Sequence, residues 1–172
     1  MQTLRSYYQI ISCFFFSILG FQIKIELANS SIENIVFYRS LWGFLILLII
    51  LLTSKKLFVF KNYNTDNIKI HFLRAIFGVL AMYFGYSSLN YLSLSQASTV
   101  AYTKVFFTTI LALIVFREKI KPLSIALIFI GFSGVYFISN PQILDHNRGV
   151  YMALFSAFCV SGGILSISYL SK

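Results

Sequence analysis

The sequence predicts an all-α integral membrane protein of about six transmembrane helices, with its N-terminus in the cytoplasm. Three observations predict it. Apolar stretches of about twenty residues recur along the chain, short polar breaks separate them, and the cations gather in alternate breaks.

Composition points the same way, because 58% hydrophobic, 18% aromatic and only 11% charged residues leave too little polar surface to coat a water-soluble globule. At about twenty residues per crossing plus loops, a chain of 172 residues is long enough for six crossings. The net charge of +9 is spread over the loops. It forms no basic groove and has no interleaved stacking aromatics, so nucleic acid is excluded as a partner. Cys13 and Cys159 lie inside apolar stretches without CxxC or metal-ligand spacing and read as small hydrophobes. The expected environment is the bilayer of the inner, cytoplasmic membrane.

The first segment, Tyr8 to Ile25, is interrupted by Gln9, Ser12, Ser17, Gln22 and Lys24 and loosened by Gly20. Arg5 ahead of it and Ala28 and Ser30 after it give it some look of a signal peptide, but retention as a first helix is the reading adopted. The second, Ile35 to Thr53, contains the unbroken run Phe44 to Leu52. A lysine-rich connection, Ser54 to His71, precedes helices three (Phe72 to Tyr91), four (Ala97 to Phe116), five (Leu123 to Ile138) and six (Gly149 to Leu170). The links from three to four and from four to five are so short that these helices must be antiparallel neighbours. Pro122 suits the first turn of helix five, and Ser93 or Ser95 can cap helix four.

Orientation follows from the short loops. With the N-terminus inside, the inner side holds Arg5, Lys55, Lys56, Lys61, Lys69, Arg74, Arg117, Lys119, Lys121 and Lys172, ten of the 14 cations. Lys24, Arg39 and Arg148 fall outside. Lipid gives little hydrophobic drive between helices, so packing faces should be marked by small residues. Ala81 with Gly85, Ala97 with Ala101, Thr108 with Ala112, Gly131 with Gly134, and Ala153, Ala157 and Ser161 provide them and predict ordinary bundle packing.

Catalysis needs convergent nucleophiles, acid-base pairs or metal ligands, and five acidic residues, two histidines and two cysteines at unrelated positions supply none. No enzyme activity, metal or cofactor is expected. The informative residues are polar ones at membrane depth, which are costly unless they face a cavity or a partner. Lys104 lies about 10 Å into helix four, where it either snorkels, takes a carbonyl partner or faces a cavity. Tyr86 and Tyr102 lie at similar depth on either side of one hairpin and, with Tyr83, could line one cavity or serve as packing and interfacial anchors. Arg39 belongs either to an outer charge cluster with Lys24, Glu26 and Glu33 or to a substrate contact. Arg74 and Glu118, at equal depth on adjacent helices, are expected to form a structural ion pair.

The order of these segments has a counterpart. Phe37-Tyr38-Arg39-Ser40 opens helix two and His71-Phe72-Leu73-Arg74-Ala75 opens helix three, which closes on Tyr86, Leu89, Tyr91 and Leu92. Ala97 to Phe116 is followed by Glu118-Lys119-Ile120, then by Gly131-Phe132-Ser133-Gly134-Val135. From about Phe14 to Asn140 this resembles the EamA-type repeat of the drug/metabolite transporter superfamily, in its flavour closest to the S-adenosylmethionine uptake transporters of intracellular bacteria. The resemblance implies a five-helix repeat at residues 8–139 and, at residues 149–170, the first helix of an incomplete second repeat. Whole carriers of this kind have ten helices in two inverted repeats and expose a midplane site alternately to each side. The family's arginines opening helices two and three fall on Arg39 and Arg74, and its glutamate ending helix four on Glu118. Its mid-helix-four proline falls on Val105, so no proline is present to kink that helix.

The function so implied is transport, or half of it, of a small organic metabolite such as S-adenosylmethionine or an amino acid. A second chain or copy would supply the missing repeat. The strong cation bias argues against insertion of one chain in both orientations. The alternative is a non-transporting membrane subunit or a truncated remnant of a ten-helix carrier.

Overall fold

The structure, a computed structural model, describes residues 2–53, 67–116, 122–139 and 144–170. In chain order they form α1 (Gln2–Glu26), α2 (Ile32–Thr53), α3 (Ile68–Ser88), α4 (Leu94–Ala101), α5 (Lys104–Phe116), α6 (Pro122–Ser139) and α7 (Leu144–Leu170), with no strand among the described residues. Helices α4 and α5 are halves of one apolar stretch, Leu94–Phe116, so among the described residues five helices are long and apolar enough to cross a membrane, and α6 adds a shorter apolar stretch, Ile125–Gly134. Every backbone polar group must find its partner within the segment in lipid, which is why apolar runs of this length become helices.

The caps follow the local sequence. Ser93 opens α4 with a capping box: its Oγ accepts from the Gln96 backbone N–H, and Gln96 Oε1 accepts from the Ser93 backbone N–H at 3.1 Å. Proline occupies the first position of α6, where its missing N–H costs nothing.

The last helix, α7, is the hub. In its apolar window 44% of residues are buried, against 6–11% in the other long spans. It runs antiparallel along α3: Gly149 sits beside Tyr91 and Leu92, Ser156 beside Gly85, and Gly162 beside the Phe77 ring. Ala153, Ala157 and Ser161 are all buried on the packed face of α7, which also rests on α4 and α5. Small side chains bring the backbones close enough for Ser156 Oγ to donate to the Ala81 carbonyl at 2.7 Å and Ser161 Oγ to the Lys104 carbonyl at 2.8 Å.

Two expected packing pairs are only half realised. Gly131 packs under the Phe106 ring, but a Cβ at Gly134 would meet nothing within 4 Å, so only the first glycine of α6 makes a close approach. Ala97 is buried whereas Ala101 is exposed, because the helix breaks immediately after Ala101 and the face does not continue.

That break is the main departure from the sequence. At Tyr102 and Thr103 the ladder tightens: Thr103 N–H donates to Val100, Val105 N–H to Tyr102 and Phe106 N–H to Thr103, all across three residues. No proline is involved. The buried Thr103 hydroxyl donates to the Val100 carbonyl at 2.7 Å, and Ser161 and Thr108 hydroxyls both donate to the Lys104 carbonyl. Hydroxyls that take over backbone acceptors permit non-helical geometry inside a membrane.

Candidate functional site

Near the end of the bundle formed by the α1–α2 turn and the α3–α4 turn, three helices converge on two aromatic and cationic groups. Arg39 enters from α2, about 10 Å below its first residue. Its guanidinium carbon lies 5.6 Å from the centre of the Tyr86 ring on α3, within range of a cation–π attraction. The ring is held from below and beside by Ile23 of α1, Leu89, Leu92, Ala97 and Val100, and Val150 and Ala153 of α7. Only 9% of Tyr86 is exposed, and its hydroxyl finds no hydrogen-bond partner among the described residues. A buried hydroxyl left in that state costs about 1–3 kcal/mol, so its retention calls for a reason outside stability.

Arg39 also borders two adjoining clefts between α1 and α2. One, of about 650 Å³, is lined by Gln22 and Glu26 of α1 and Asn34, Tyr38, Arg39 and Trp42 of α2. The other, of about 670 Å³, shares Leu19, Gln22 and Arg39 and extends along Phe15 and Phe16. The combined wall carries a cation, a carboxylate, two amides and several aromatic rings, a chemistry able to hold an organic solute with charged and apolar parts.

The other sequence candidates are distributed differently. Tyr83 directs its hydroxyl to Glu33 Oε1 at 3.5 Å, a long bond that ties α3 to the start of α2. Tyr102 lies at the helix break with 67% of its surface exposed, so it projects outward while Tyr86 is buried. Lys104 opens α5 and is half-buried, and its backbone carbonyl is the acceptor that Ser161 takes. Arg74 opens toward a different groove, between α3 and α7. Glu118, its expected partner, lies outside the described residues. No group of three or more potential metal ligands occurs among the described residues.

The outer charge cluster resolves into separate roles that the sequence does not display. Lys24 of α1 donates its ammonium to the carbonyls of Leu89 and Leu92, the latter at 3.0 Å. These carbonyls close α3 and its turn, where free acceptors and the negative end of the helix dipole favour a cation. A lysine in the last turn of one helix, level with a tight hairpin, was the available signal. Gln22, which lies on the wall shared by both clefts, carried no sequence signal beyond its polarity.

Comparison with known proteins gives this arrangement a context. The EamA-like transporter family model matches residues 6–140. Two curated relatives, each named an uncharacterized transporter, come from Helicobacter pylori strains. The protein of strain 26695 is 29% identical over 149 residues, covering 85% of this chain and 49% of the relative. That of strain J99 is 28% identical over 156 residues, covering 91% and 50%. The chain thus spans about half the length of the curated relatives it matches. No solved structure matches it significantly. With the family matched over most of its length and its helices long and apolar enough to span a bilayer, the chain belongs to the EamA-like transporter family.

Proposed function

We propose that this chain is the solute-binding half of a membrane carrier for a small organic metabolite that works by alternating access. The observation that carries the reading is the Arg39 guanidinium over the buried Tyr86 ring, whose hydroxyl has no partner among the described residues, beside clefts that also offer Glu26 and Gln22. S-adenosylmethionine and amino acids share a carboxylate and an ammonium on one carbon. Arg39 suits the carboxylate, Glu26 the ammonium, and Tyr38 and Trp42 an apolar or aromatic remainder.

In this reading residues 8–139 form one five-helix repeat and residues 149–170 open a second. The membrane is the inner one, with the N-terminus cytoplasmic. Tyr83, Tyr102 and Lys104 complete the candidate contacts; the last two flank the broken span, the kind of discontinuous helix from which carriers build midplane sites. Arg74 and Glu118 form a structural pair at the opposite end.

Trp42 is the one tryptophan of the chain and lines the cleft, so its fluorescence reports occupancy directly. Titration with S-adenosylmethionine and a panel of amino acids should give a saturable change for one of them, lost in R39Q. If no solute in the panel moves the signal, or R39Q responds as the parent does, the site is wrong. Uptake into proteoliposomes then separates a carrier from the alternative, a membrane subunit that does not transport.

A further inference from the structure

The two seams of α7 differ in how their hydroxyls are bound. Toward α3, Ser156 Oγ has one acceptor among the described residues, the Ala81 carbonyl at 2.7 Å. Toward α5, Ser161 Oγ has two, the Lys104 carbonyl at 2.8 Å across the seam and the Ala157 carbonyl at 2.9 Å on its own helix. A serine hydroxyl carries a single proton, so the two carbonyls compete for it. Ser161 and Thr103 beside the seam are both fully buried, so no solvent takes part in that competition.

Each competing carbonyl has another donor. The Lys104 carbonyl also accepts from the Thr108 hydroxyl at 2.7 Å, and the first ladder bond of α5 brings it the Thr108 backbone N–H. Three donors thus meet two lone pairs. The Ala157 carbonyl lies inside α7, where the ladder supplies the Ser161 backbone N–H. Turning the Ser161 hydroxyl from one carbonyl to the other therefore orphans no buried group. Turning Ser156 away from Ala81 takes from that hydroxyl its one acceptor among the described residues, and the cost of an unmet buried donor is what fixes most such bonds.

The backbone beside Ser161 is built to use this freedom. Ahead of the break α4 is anchored, with Ala97 and Val100 buried in the core around Tyr86 and Leu92. Beyond the tightened turn at Tyr102 and Thr103, α5 is held by ring edges, Phe107 meeting Phe132 of α6 and Phe158 of α7 with centroids 5.7 and 5.8 Å apart. Edge-to-face contacts persist over centroid separations of about 4.5–7 Å, so they allow small displacements. Phe116 lies about 18 Å along α5 from Lys104, so a small separation at Lys104 grows toward that end.

We propose that the Ser161 hydroxyl is a two-position latch between α5 and α7. Bonded to the Lys104 carbonyl, it holds the first turn of α5 against α7; bonded to the Ala157 carbonyl, it releases α5 to swing on the turn at Tyr102 and Thr103. Two packings close in free energy are what a bistable element requires. The latch does not depend on the solute reading of the Arg39 site, and a failed Trp42 titration leaves it standing.

Double electron–electron resonance in dodecyl maltoside tests this on the full chain, with spin labels at I114C and Y169C, two exposed positions toward the far ends of α5 and α7. The background is C13S, with the buried Cys159 left in place. The parent should show two distance populations. S161A should shift their ratio about threefold toward the longer distance, the worth of an average interhelical hydrogen bond in a membrane. T108V removes the hydroxyl that competes for the Lys104 carbonyl and should shift the ratio about threefold the other way. S156A, on the seam without a second acceptor, should leave the ratio unchanged. Far-UV circular dichroism checks that each variant keeps its helicity. A single population in the parent, S161A and T108V moving the ratio in the same direction or not at all, or S156A moving it as far as S161A would each overturn the proposal.

Discussion

Replacing Tyr86 by phenylalanine should make this protein more stable and less able to bind its solute. The ring occupies a packed pocket bounded by α1, α4 and α7, and phenylalanine keeps that shape and the face offered to Arg39 at 5.6 Å. What disappears is a hydroxyl oxygen that is buried and has no partner among the described residues. An unsatisfied buried group costs about 1–3 kcal/mol, and the lower figure applies where the unfolded chain also sits in a membrane, so Y86F should gain about 1 kcal/mol. Y86A removes the ring as well and should lose about 3–5 kcal/mol through the cavity it leaves. Equilibrium unfolding of the purified chain in dodecyl maltoside by added dodecyl sulfate, followed by circular dichroism at 222 nm, measures both. A Y86F protein that is destabilised by about 1 kcal/mol or more would refute the reasoning, because the hydroxyl would then have a structural partner. A stabilised Y86F with unaltered solute affinity would leave the stability argument intact and remove the hydroxyl from the site.

Other substitutions probe the scaffold that positions this site. K24M strips two carbonyls of α3 and its turn of a charged donor and should lower stability by about 2 kcal/mol in the same unfolding assay, whereas K24R should recover part of it. G131A drives a methyl into the Phe106 ring and should cost about 1–3 kcal/mol, while G134A, facing open space, should be neutral or gain about 0.5 kcal/mol from helix propensity. S161A frees the Lys104 carbonyl of one of its two hydroxyl donors and should cost about 0.6 kcal/mol, with faster amide exchange around Thr103 as its distinguishing mark. R39K keeps the charge but loses the planar fork, and should bind the solute more weakly than the parent in the Trp42 titration without a change in stability beyond about 0.5 kcal/mol.

Much of the architecture was legible in the chain because the bilayer reduces folding to a few strong rules. A run such as Phe44 to Leu52 has no alternative to a lipid-exposed helix. The short link from Tyr91 to Ser95 holds α3 to α4 only near the turn, and it is α7 that packs along both α3 and α5. The stripe Ala153, Ala157, Ser161 announced a packing face by its spacing and is the buried face of α7. Spacing could not say which helix it meets. That α3 and α5 take this face, and that Gly131 is used while Gly134 is idle, depends on side chains far apart in sequence.

The candidate site divides in the same way. Depth along a helix follows from counting residues, so Arg39 and Tyr86 could be named as membrane-level polar groups in advance. Their direction could not, since one residue of rotation turns a side chain by about 100°. Tyr102, expected level with Tyr86, is exposed where Tyr86 is buried and lies farther from the α3–α4 turn, since Lys104 meets Ser161 of α7 whereas Gly85 meets Ser156. The span breaks beside it at Thr103, where hydroxyls from Thr103, Thr108 and Ser161 take backbone acceptors without a proline. The chain by itself therefore determined the solvent and the succession of long apolar helices, both of which rest on local hydrophobicity. Only the tertiary structure decided that α7 is the hub, that Lys24 closes α3, and that Arg39 meets the Tyr86 ring, because each depends on which helix faces meet.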